Sequence, residues 1–485
     1  MTQLEDALVS RPLALPQSRA ERSLLYGVIF PALLVFGGVL SEAFRTEAAF
    51  VFGAALISAV GVITFADLLF HRTRLSCGLA AGMGASLGYG LTSVNTWYYT
   101  YTSSISFTNF VGEDIPTLCL GLEALGASIA LLYFWGEWVE SPFTIDVSRL
   151  ATLPRTKWLT VVLFLIMLGG WIHGDLGYMG QQNLGSGDSV IAELGMFAVA
   201  PAFGMTLAVA AYTADKTEKV IFYILLAIEM LMTVPLGRRY FIFAIFIAGI
   251  ISRSCPIFKR GFVWKRVIAI VISVFIIYLA SIVFLYIRIA SYTDPPDRIE
   301  LARRAYQISQ TATASQMSAN LAENTYQRGF IFGFLADLVE MSSTHGTAAY
   351  GRDLYNSLVA DIPSIFWKDK ARFLPPSEEE LASEVFSTNY PDLANSLFTA
   401  GAVDFGFLGV LVYPLLAVSA MAIFLRMVAA YTNPTTTLIA RLAALYLMIQ
   451  AETGFSAYTT FIRNTALFIL FFGALAMMRP TLRSR

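Results

Sequence analysis

Twelve segments of this sequence are apolar enough to form helices that cross a lipid bilayer. A transmembrane helix needs about 20 mostly apolar residues, because the hydrocarbon core of a bilayer is roughly 30 Å thick. The segment at 239–252 is short for this role. The segments lie at 24–40, 48–70, 75–92, 115–135, 158–172, 189–212, 219–236, 239–252, 264–290, 402–427, 435–452 and 460–478. They predict an all-α polytopic membrane protein with about twelve transmembrane helices.

The composition agrees with a membrane protein. Hydrophobic residues make up 56% of the 485 residues and charged residues only 14%, whereas roughly a quarter of the residues in soluble domains are charged. A net charge of −1 without a basic stripe argues against a nucleic-acid partner. Cys77, Cys119 and Cys255 lie in or beside apolar runs without CxxC spacing, which predicts packing rather than a disulfide or zinc site. The sequence has no P-loop or HExxH motif, and we expect no metal or cofactor.

Lysine and arginine in the short loops set the predicted orientation, because the cytoplasmic side of a membrane protein carries their excess. With a cytoplasmic N-terminus, the basic loops at 72–74, 149–157, 216–219 and 253–266 all fall inside. The predicted parts are a cytoplasmic tail at 1–23, transmembrane helices 1–9 within 24–290, a loop at 291–400, helices 10–12 within 401–478, and a cytoplasmic tail at 479–485.

The loop at 291–400 is the one long polar segment, and it falls outside the cytoplasm under the same alternation. Acidic residues outnumber basic ones in it. Residues 297–316 predict a polar helix, and RGFIFGFLADLVEM at 328–341 predicts an amphipathic one. We therefore expect a folded, partly helical loop that lies partly against the membrane surface.

Two adjacent arginines, Arg238 and Arg239, follow Gly237 in VPLGRRYF at the predicted outer membrane boundary. They break the charge rule, as Arg45 and Arg463 also do. A guanidinium offers a planar fork of donors that matches phosphate, so the pair predicts a phosphate or pyrophosphate site. The alternative is that both side chains extend toward lipid headgroups.

The outer loop holds further candidates for chemistry. His345 is a candidate base, since histidine accepts a proton near neutral pH; a structural hydrogen bond is the competing interpretation. Asp337 lies three residues before Glu340 on one predicted helix face and is a second candidate base or sugar ligand, although a solvated face is more common. Arg328 and Arg352 are candidate phosphate contacts.

The loop ends in TNYPDLANSLFTAGAVDFGFLGVLVYPLL, where a polar run passes into the tenth predicted helix. Asp404 lies at the mouth of that helix, where it could orient the arginine pair or bind acceptor hydroxyls. Ordinary helix packing with a terminal acid explains the pattern equally well, since the nearby glycines permit close helix contact.

These features together resemble the oligosaccharide repeat-unit polymerases of bacterial surface polysaccharides, the Wzy-like family. The resemblance rests on the many-span body, on Gly237-Arg238-Arg239 at an outer helix end, on the large late loop, and on SLFTAGAVDFGFLGVLVYPLL, which is similar to the family's run of Thr, acid, Phe-Gly and Gly. It covers nearly the whole chain and implies a GT-C-like, metal-independent membrane glycosyltransferase in the bacterial inner membrane, with a periplasmic loop.

The resemblance also implies a substrate and roles for the residues. The substrate would be an undecaprenyl-pyrophosphate-linked oligosaccharide in the lipid bilayer. Arg238 and Arg239 would bind the pyrophosphate, with Arg328 or Arg352 as a partner from the loop. Asp404 and Asn395 would lie beside the sugar. A chain-length regulator and a flippase of the same pathway are expected partners, and nucleic acid is not.

Three alternatives stay open at this point. The related O-antigen ligases use a similar scaffold and an outer-loop histidine, a role that His345 could match. A transporter or flippase of lipid-linked saccharide would suit twelve spans and would use charges within the spans, of which Glu229, about two turns before Arg238, is the most notable. A structural subunit of a secretion or assembly complex would show no change in soluble product when the arginine pair is removed.

Overall fold

A computed structural model describes most of the chain, and it is almost entirely helical there. Within the described residues the only β-structure is a single bridge between Leu75 and Phe143. Arg328 and the predicted tails, apart from the helical turn after residue 18, lie outside the described residues, as do the side chains of Arg238 and Arg239. The described ranges are 19–70, 75–103, 107–108, 113–141, 143, 147, 150–173, 190–233, 238–254, 263–291, 298–313, 316, 329–362, 367, 376–387 and 395–477.

Each of the twelve hydrophobic segments overlaps a helix. Helix α1 consists of Arg19–Leu24, the π-helical turn Leu25–Ile29 and Phe30–Phe44, and α3 consists of Cys77–Ala85, the π-helical segment Ser86–Leu91 and Thr92–Ser103. The others are α2 (Glu47–Phe70), α4 (Ile115–Trp138), α5 (Pro154–His173), α6 (Val190–Tyr212), α7 (Lys216–Thr233), α8 (Arg238–Ser254), α9 (Val263–Ser291), α10 (Arg298–Thr311), α11 (Gly329–His345), α12 (Arg352–Ala360), α13 (Glu378–Phe386), α14 (Leu397–Tyr431), α15 (Pro434–Ile449) and α16 (Phe455–Met477).

Six helices in the described part of the chain are long and apolar enough to cross a membrane. Their outward faces carry large apolar side chains, for example Phe36, Phe134 and Leu165, which water would not tolerate as a continuous surface. The protein is therefore an all-α membrane protein. The six segments are Ala20–Phe44, Glu47–Leu68, Ile115–Trp138, Pro154–Ile172, Leu194–Tyr212 and Leu397–Tyr431.

Helix α14 is kinked rather than straight, which the sequence did not predict for the segment 402–427. Phe405 and Gly406 leave the helical conformation, and Gly406 has a φ of 57°, a left-handed value that favours glycine. A Cβ atom built on Gly409 would overlap the carbonyl oxygen of Gly401. Eight residues of a straight helix span about 12 Å, so the chain folds back on itself at the kink. We call residues 397–404 the short arm and 407–431 the long arm.

Helix α11 is enclosed by the bundle. Its sequence predicts an amphipathic helix against the membrane surface, but every residue from Ile331 to Val339 is buried. The helix packs against α4 and α14, and a Cβ atom on Gly121 of α4 would lie only 2.6 Å from the Cβ atom of Ala336. Small residues at this crossing let the two backbones approach. Part of the predicted loop is therefore a core element of the bundle.

The remaining described loop helices attach to the last helices of the chain. Helix α12 packs against α14 and α16, and α13 packs against α14. Ser377 begins α13 with a reciprocal capping box to Glu380, and Ser396 begins the short arm with one to Thr399, which satisfies free N–H groups at both helix starts. These contacts bring Asp353, Glu378 and Asp404 close together.

Candidate functional site

The loop helices meet the kinked helix at a cluster of buried carboxyl groups, which we call the loop junction. It consists of the carboxyl groups of Asp353 at the start of α12, Glu378 at the start of α13 and Asp404 at the end of the short arm, together with the amide of Asn395, two residues before the short arm. Asp404 is fully buried, Asp353 is 4% exposed and Glu378 is 8% exposed. Two of these residues, Asp404 and Asn395, belong to the set predicted from the sequence.

Asp404 holds the start of helix α12. Its Oδ1 accepts a hydrogen bond from the backbone N–H of Asp353 at 3.0 Å, and its Oδ2 accepts one from the N–H of Leu354 at 3.1 Å. The hydroxyl of Tyr413 also donates to Oδ2. Helix α12 has no capping side chain of its own, because Gly351 with a φ of 87° occupies the N-cap. A carboxylate from the membrane helix therefore supplies the cap, where negative charge is favoured.

The carboxyl of Asp353 titrates near neutral pH. Burial and the neighbouring charges of Asp404 and Glu379 raise the pKa of Asp353 to about 7. Burial and the charge of Asp353 also raise the pKa of Glu378 well above its ordinary value, against a hydrogen bond from the Thr399 side chain. Like charges held together in an apolar site ionise with difficulty. The loop junction therefore retains protons at neutral pH and can accept or donate one.

Asn395 lies beside Glu378. A Cβ atom built on Gly454, in the break between α15 and α16, would lie 3.7 Å from the Cβ atom of Asn395 and 3.7 Å from Oε2 of Glu378. Asn395 is partly buried. Three segments thus meet at Gly454: the residues before the short arm, the start of α13, and the break between α15 and α16.

A second set of contacts ties α12 to α16. The hydroxyls of Thr459 and Thr460 donate to the carboxylate of Asp361, and Arg463 Nη1 donates to the Asp361 carbonyl oxygen at 3.0 Å. This bond gives Arg463, an exception to the charge rule, a structural reason. Arg45, another exception, forms an ion pair with Glu42.

Arg352, a predicted phosphate contact, binds a carboxylate in this structure. Its Nη1 and Nη2 each lie 3.1 Å from an oxygen of Glu384. The two side chains are about half exposed, so the pair joins α12 to α13 at the surface. A phosphate at this site would have to compete with Glu384.

His345 lies at the exposed end of α11, near the kink. Its Nδ1 lies 3.0 Å from Thr344 Oγ1 and 3.2 Å from the Met341 carbonyl oxygen. Ser342, about one turn earlier in α11, packs against Gly406 at the kink. A Cβ atom on that glycine would overlap the serine hydroxyl. The histidine is thus accessible and close to the loop junction.

Asp337 belongs to a different acidic cluster. It lies about 12 Å before His345 along α11 and is 9% exposed. Asp337 and Glu340 both lie near Glu113, and Glu340 accepts a hydrogen bond from the Thr117 hydroxyl. Burial and then the charges of Asp337 and Glu340 raise the pKa of Glu113 to about 7. The structure therefore separates Asp337 from Asp404.

The arginine pair begins helix α8, and only its backbone is described. Tyr240, the next residue, is fully buried and packs near Glu229, which is also fully buried. The hydroxyl of Thr206 donates to Glu229 Oε1 at 2.8 Å. The first turn of α8 therefore packs close to the buried carboxyl of Glu229.

Glu378 could not be selected from the sequence. It lies in SEEE, a run typical of a solvated helix start, and nothing local distinguishes it from Glu379 and Glu380. Asp353 is likewise one of several acids in the loop. Their proximity depends on contacts between residues far apart in the chain.

Neither a protein-family model, nor a curated protein, nor a solved structure matches this chain. Its function must therefore be inferred from the membrane fold and from the residues of the loop junction.

Proposed function

We propose that this protein is a membrane glycosyltransferase that polymerises oligosaccharide repeat units carried on undecaprenyl pyrophosphate. In this proposal the chain crosses a bacterial inner membrane about twelve times. Both termini lie on the cytoplasmic side, and the loop junction lies on the periplasmic side. The observation that carries it is the carboxyl of Asp353, buried where the loop meets the bundle and with its pKa raised to about 7. Carboxyls tuned in this way are typical of acid–base sites.

The reaction needs a base and a cationic site for the leaving group. The acceptor hydroxyl oxygen forms a bond to the anomeric carbon of the donor, while the bond from that carbon to the pyrophosphate oxygen breaks. The hydroxyl proton passes to a base, and the lipid pyrophosphate leaves with the electron pair. Arg238 and Arg239 would stabilise its charge, and Asp353 or His345 would take the proton.

Asp404 has a positioning role in this proposal. Both of its carboxylate oxygens accept hydrogen bonds from α12 or Tyr413, so it is poorly placed to take a substrate proton. It instead holds Asp353 at the start of α12. Asn395 and its neighbours would lie on the sugar side of the site.

Deletion of the gene tests the proposal most directly. A strain that lacks a polymerase keeps single repeat units on its lipid-linked glycans and loses the ladder of longer chains on a gel. A strain that lacks a ligase accumulates lipid-linked polymer instead. An unchanged glycan pattern would exclude both activities.

Glu229 supports a second candidate, a transporter or flippase of lipid-linked saccharide. A fully buried carboxyl inside a membrane bundle is a common feature of transport pathways. A transport defect would leave lipid-linked units on the cytoplasmic side, where an added periplasmic glycosidase cannot reach them. A polymerase defect would leave them accessible.

A further inference from the structure

Three buried oxygen atoms around Gly454 have no hydrogen-bond partner among the described residues. They are Oε1 of Glu378, Oδ1 of Asn395 and Oγ1 of Thr453. Glu378 and Thr453 are each 8% exposed. Gly454 directly follows Thr453, and a Cβ atom on it would lie 3.7 Å from both Asn395 and Glu378. Three unpaired polar groups on segments that meet at one place are unusual in a folded protein.

The segment that carries Thr453 is held in place by the bundle. Helix α15 ends at Ile449, and residues 450–454 cross to α16 without helical structure. A Cβ atom on Gly84 of α3 would lie 2.5 Å from the Ile449 carbonyl oxygen, so the break rests closely on α3. Thr453 lines a small cavity together with Leu397 and Phe398 of the short arm. The unpaired hydroxyl is therefore fixed beside the loop junction.

The chemistry of these atoms restricts the ligand that could pair with them. A phosphate or carboxylate ion would bring a negative charge into a buried junction whose members Asp353, Glu378, Asn395 and Asp404 include no cation to pair with it. In the described part of the chain, no three acidic, histidine or cysteine side chains are grouped to hold a metal ion. A hydroxyl both donates and accepts, so it can pair with an amide oxygen, a threonine and a carboxyl in either protonation state.

We propose that Glu378, Asn395 and Thr453 form a subsite that binds neighbouring hydroxyls of a neutral sugar residue. The inference rests on the proposed function for its substrate, and it assigns the saccharide, rather than the pyrophosphate, to the Gly454 side of the loop junction. The sugar would lie close to Asp353, whose carboxyl interacts with that of Glu378. It would thereby bring an acceptor hydroxyl within reach of a base.

Thr453→Val is the most informative substitution, because valine keeps the shape of threonine and removes only the hydroxyl. Removal of an unpaired buried hydroxyl should leave the melting temperature unchanged or raise it, while loss of one ligand hydrogen bond should raise KM about 10-fold. Thr160→Val is the matched control. Its hydroxyl is also buried but is paired with the Thr156 carbonyl oxygen at 2.9 Å, so this variant should lose some stability and keep its KM.

Direct binding can be measured without knowledge of the full substrate. Purified protein in lipid nanodiscs is mixed with methyl glycosides of the neutral sugars of the host polysaccharide, and saturation-transfer NMR reports contact. We expect a signal for the wild type and for Thr160→Val, and its loss for Thr453→Val. No wild-type signal, an equal signal in Thr453→Val, or displacement by calcium or inorganic pyrophosphate would overturn the subsite.

The two proposals fail in different ways. If gene deletion removes the glycan ladder but Thr453→Val behaves as the wild type, the subsite is wrong and the polymerase stands. If the ladder survives deletion but the glycoside signal depends on Thr453, the subsite stands and the polymerase is wrong.

Discussion

The carboxylate of Asp404 accepts a hydrogen bond from the backbone N–H of Asp353 at 3.0 Å, so a residue of the membrane helix caps a helix of the loop. The two residues are 51 positions apart. The backbone of Tyr350 also donates to the Asp404 carbonyl oxygen at 3.0 Å. The loop and the kinked helix therefore form one structural unit, and the buried carboxyl of Asp353 is fixed by it.

Removal of the Asp404 cap should loosen the loop. Asp404→Ala leaves two N–H groups of α12 and the Tyr413 hydroxyl without their partner, which should lower the free energy of unfolding by about 1–3 kcal/mol. Thermal unfolding in detergent and limited proteolysis of the loop measure this effect. Glu384→Ala, which removes an exposed ion pair, should change stability by less than about 1 kcal/mol. Equal effects of the two variants would contradict the capping role.

The pKa of Asp353 predicts a stability that falls as pH rises. Its folded pKa of about 7 lies above the ordinary value of 3.8, so folding favours the protonated form. The resulting stability is fully present below about pH 4 and is lost as pH rises through about 7. Glu378, whose pKa is also raised, acts in the same direction.

Asp353→Asn removes this contribution, together with the part of the raised Glu378 pKa that the Asp353 charge causes. The variant cannot ionise at this position. Between about pH 5 and pH 8, an interval that contains the raised pKa of Asp353, its melting temperature should therefore fall less than that of the wild type. Glu113, whose pKa is also about 7, contributes equally to both proteins and cancels in the comparison. Parallel curves for the two proteins would show that Asp353 is ionised throughout.

The contact between Gly401 and Gly409 should tolerate no side chain. A Cβ atom on either residue would overlap the backbone of the other, so Gly409→Ala must separate the two arms of α14. We expect a destabilisation of about 1–3 kcal/mol or more and a loss of monodisperse protein in size-exclusion chromatography. Gly169→Ala is the control, because nothing lies within 4 Å of a Cβ atom there. It should be neutral or stabilising by about 0.5–1 kcal/mol.

The helices could be predicted from the sequence, because a chain in lipid must satisfy its own backbone hydrogen bonds. Each long apolar segment therefore coincides with a helix. The kink at Phe405-Gly406 was not predicted, since an apolar run looks the same whether it is straight or folded back. The burial of α11 inside the bundle was not predicted for a related reason. The sequence of α11 shows which of its residues are apolar, but it does not show that Ala336 packs against Gly121 of α4.

The site was predicted only in part. Asp404 was a candidate because it lies beside glycines at the mouth of the tenth predicted helix, and the structure places it in the loop junction. Its partner Asp353 lies 51 positions away in the chain, and Glu378 joins the junction through its contact with Asp353. A single sequence carries no signal for such long-range pairings. Arg352 was selected for its charge, but its pairing with Glu384 could not be read from the sequence.

The arginine pair distinguishes a transferase from a transporter. If Arg238 and Arg239 stabilise the departing pyrophosphate, replacement of either by alanine should slow polymerisation about 10²- to 10³-fold, as the loss of one donor to a developing anion does in other enzymes. Lysine keeps the charge but not the planar fork, so Arg238→Lys and Arg239→Lys should retain part of the activity. The measurement is the length and amount of the glycan ladder in a deletion strain that carries each variant.

Glu229→Gln completes this comparison. Glutamine keeps the size of the side chain and can still accept the hydrogen bond from Thr206, so a transferase should keep most of its activity. A transporter that uses the buried carboxyl for a proton or cation would lose its function. An inactive Glu229→Gln together with active Arg238→Ala and Arg239→Ala would therefore reject the transferase, and the reverse pattern would reject the transporter. Membrane levels of each variant, measured by immunoblot, exclude loss of the folded protein as the cause.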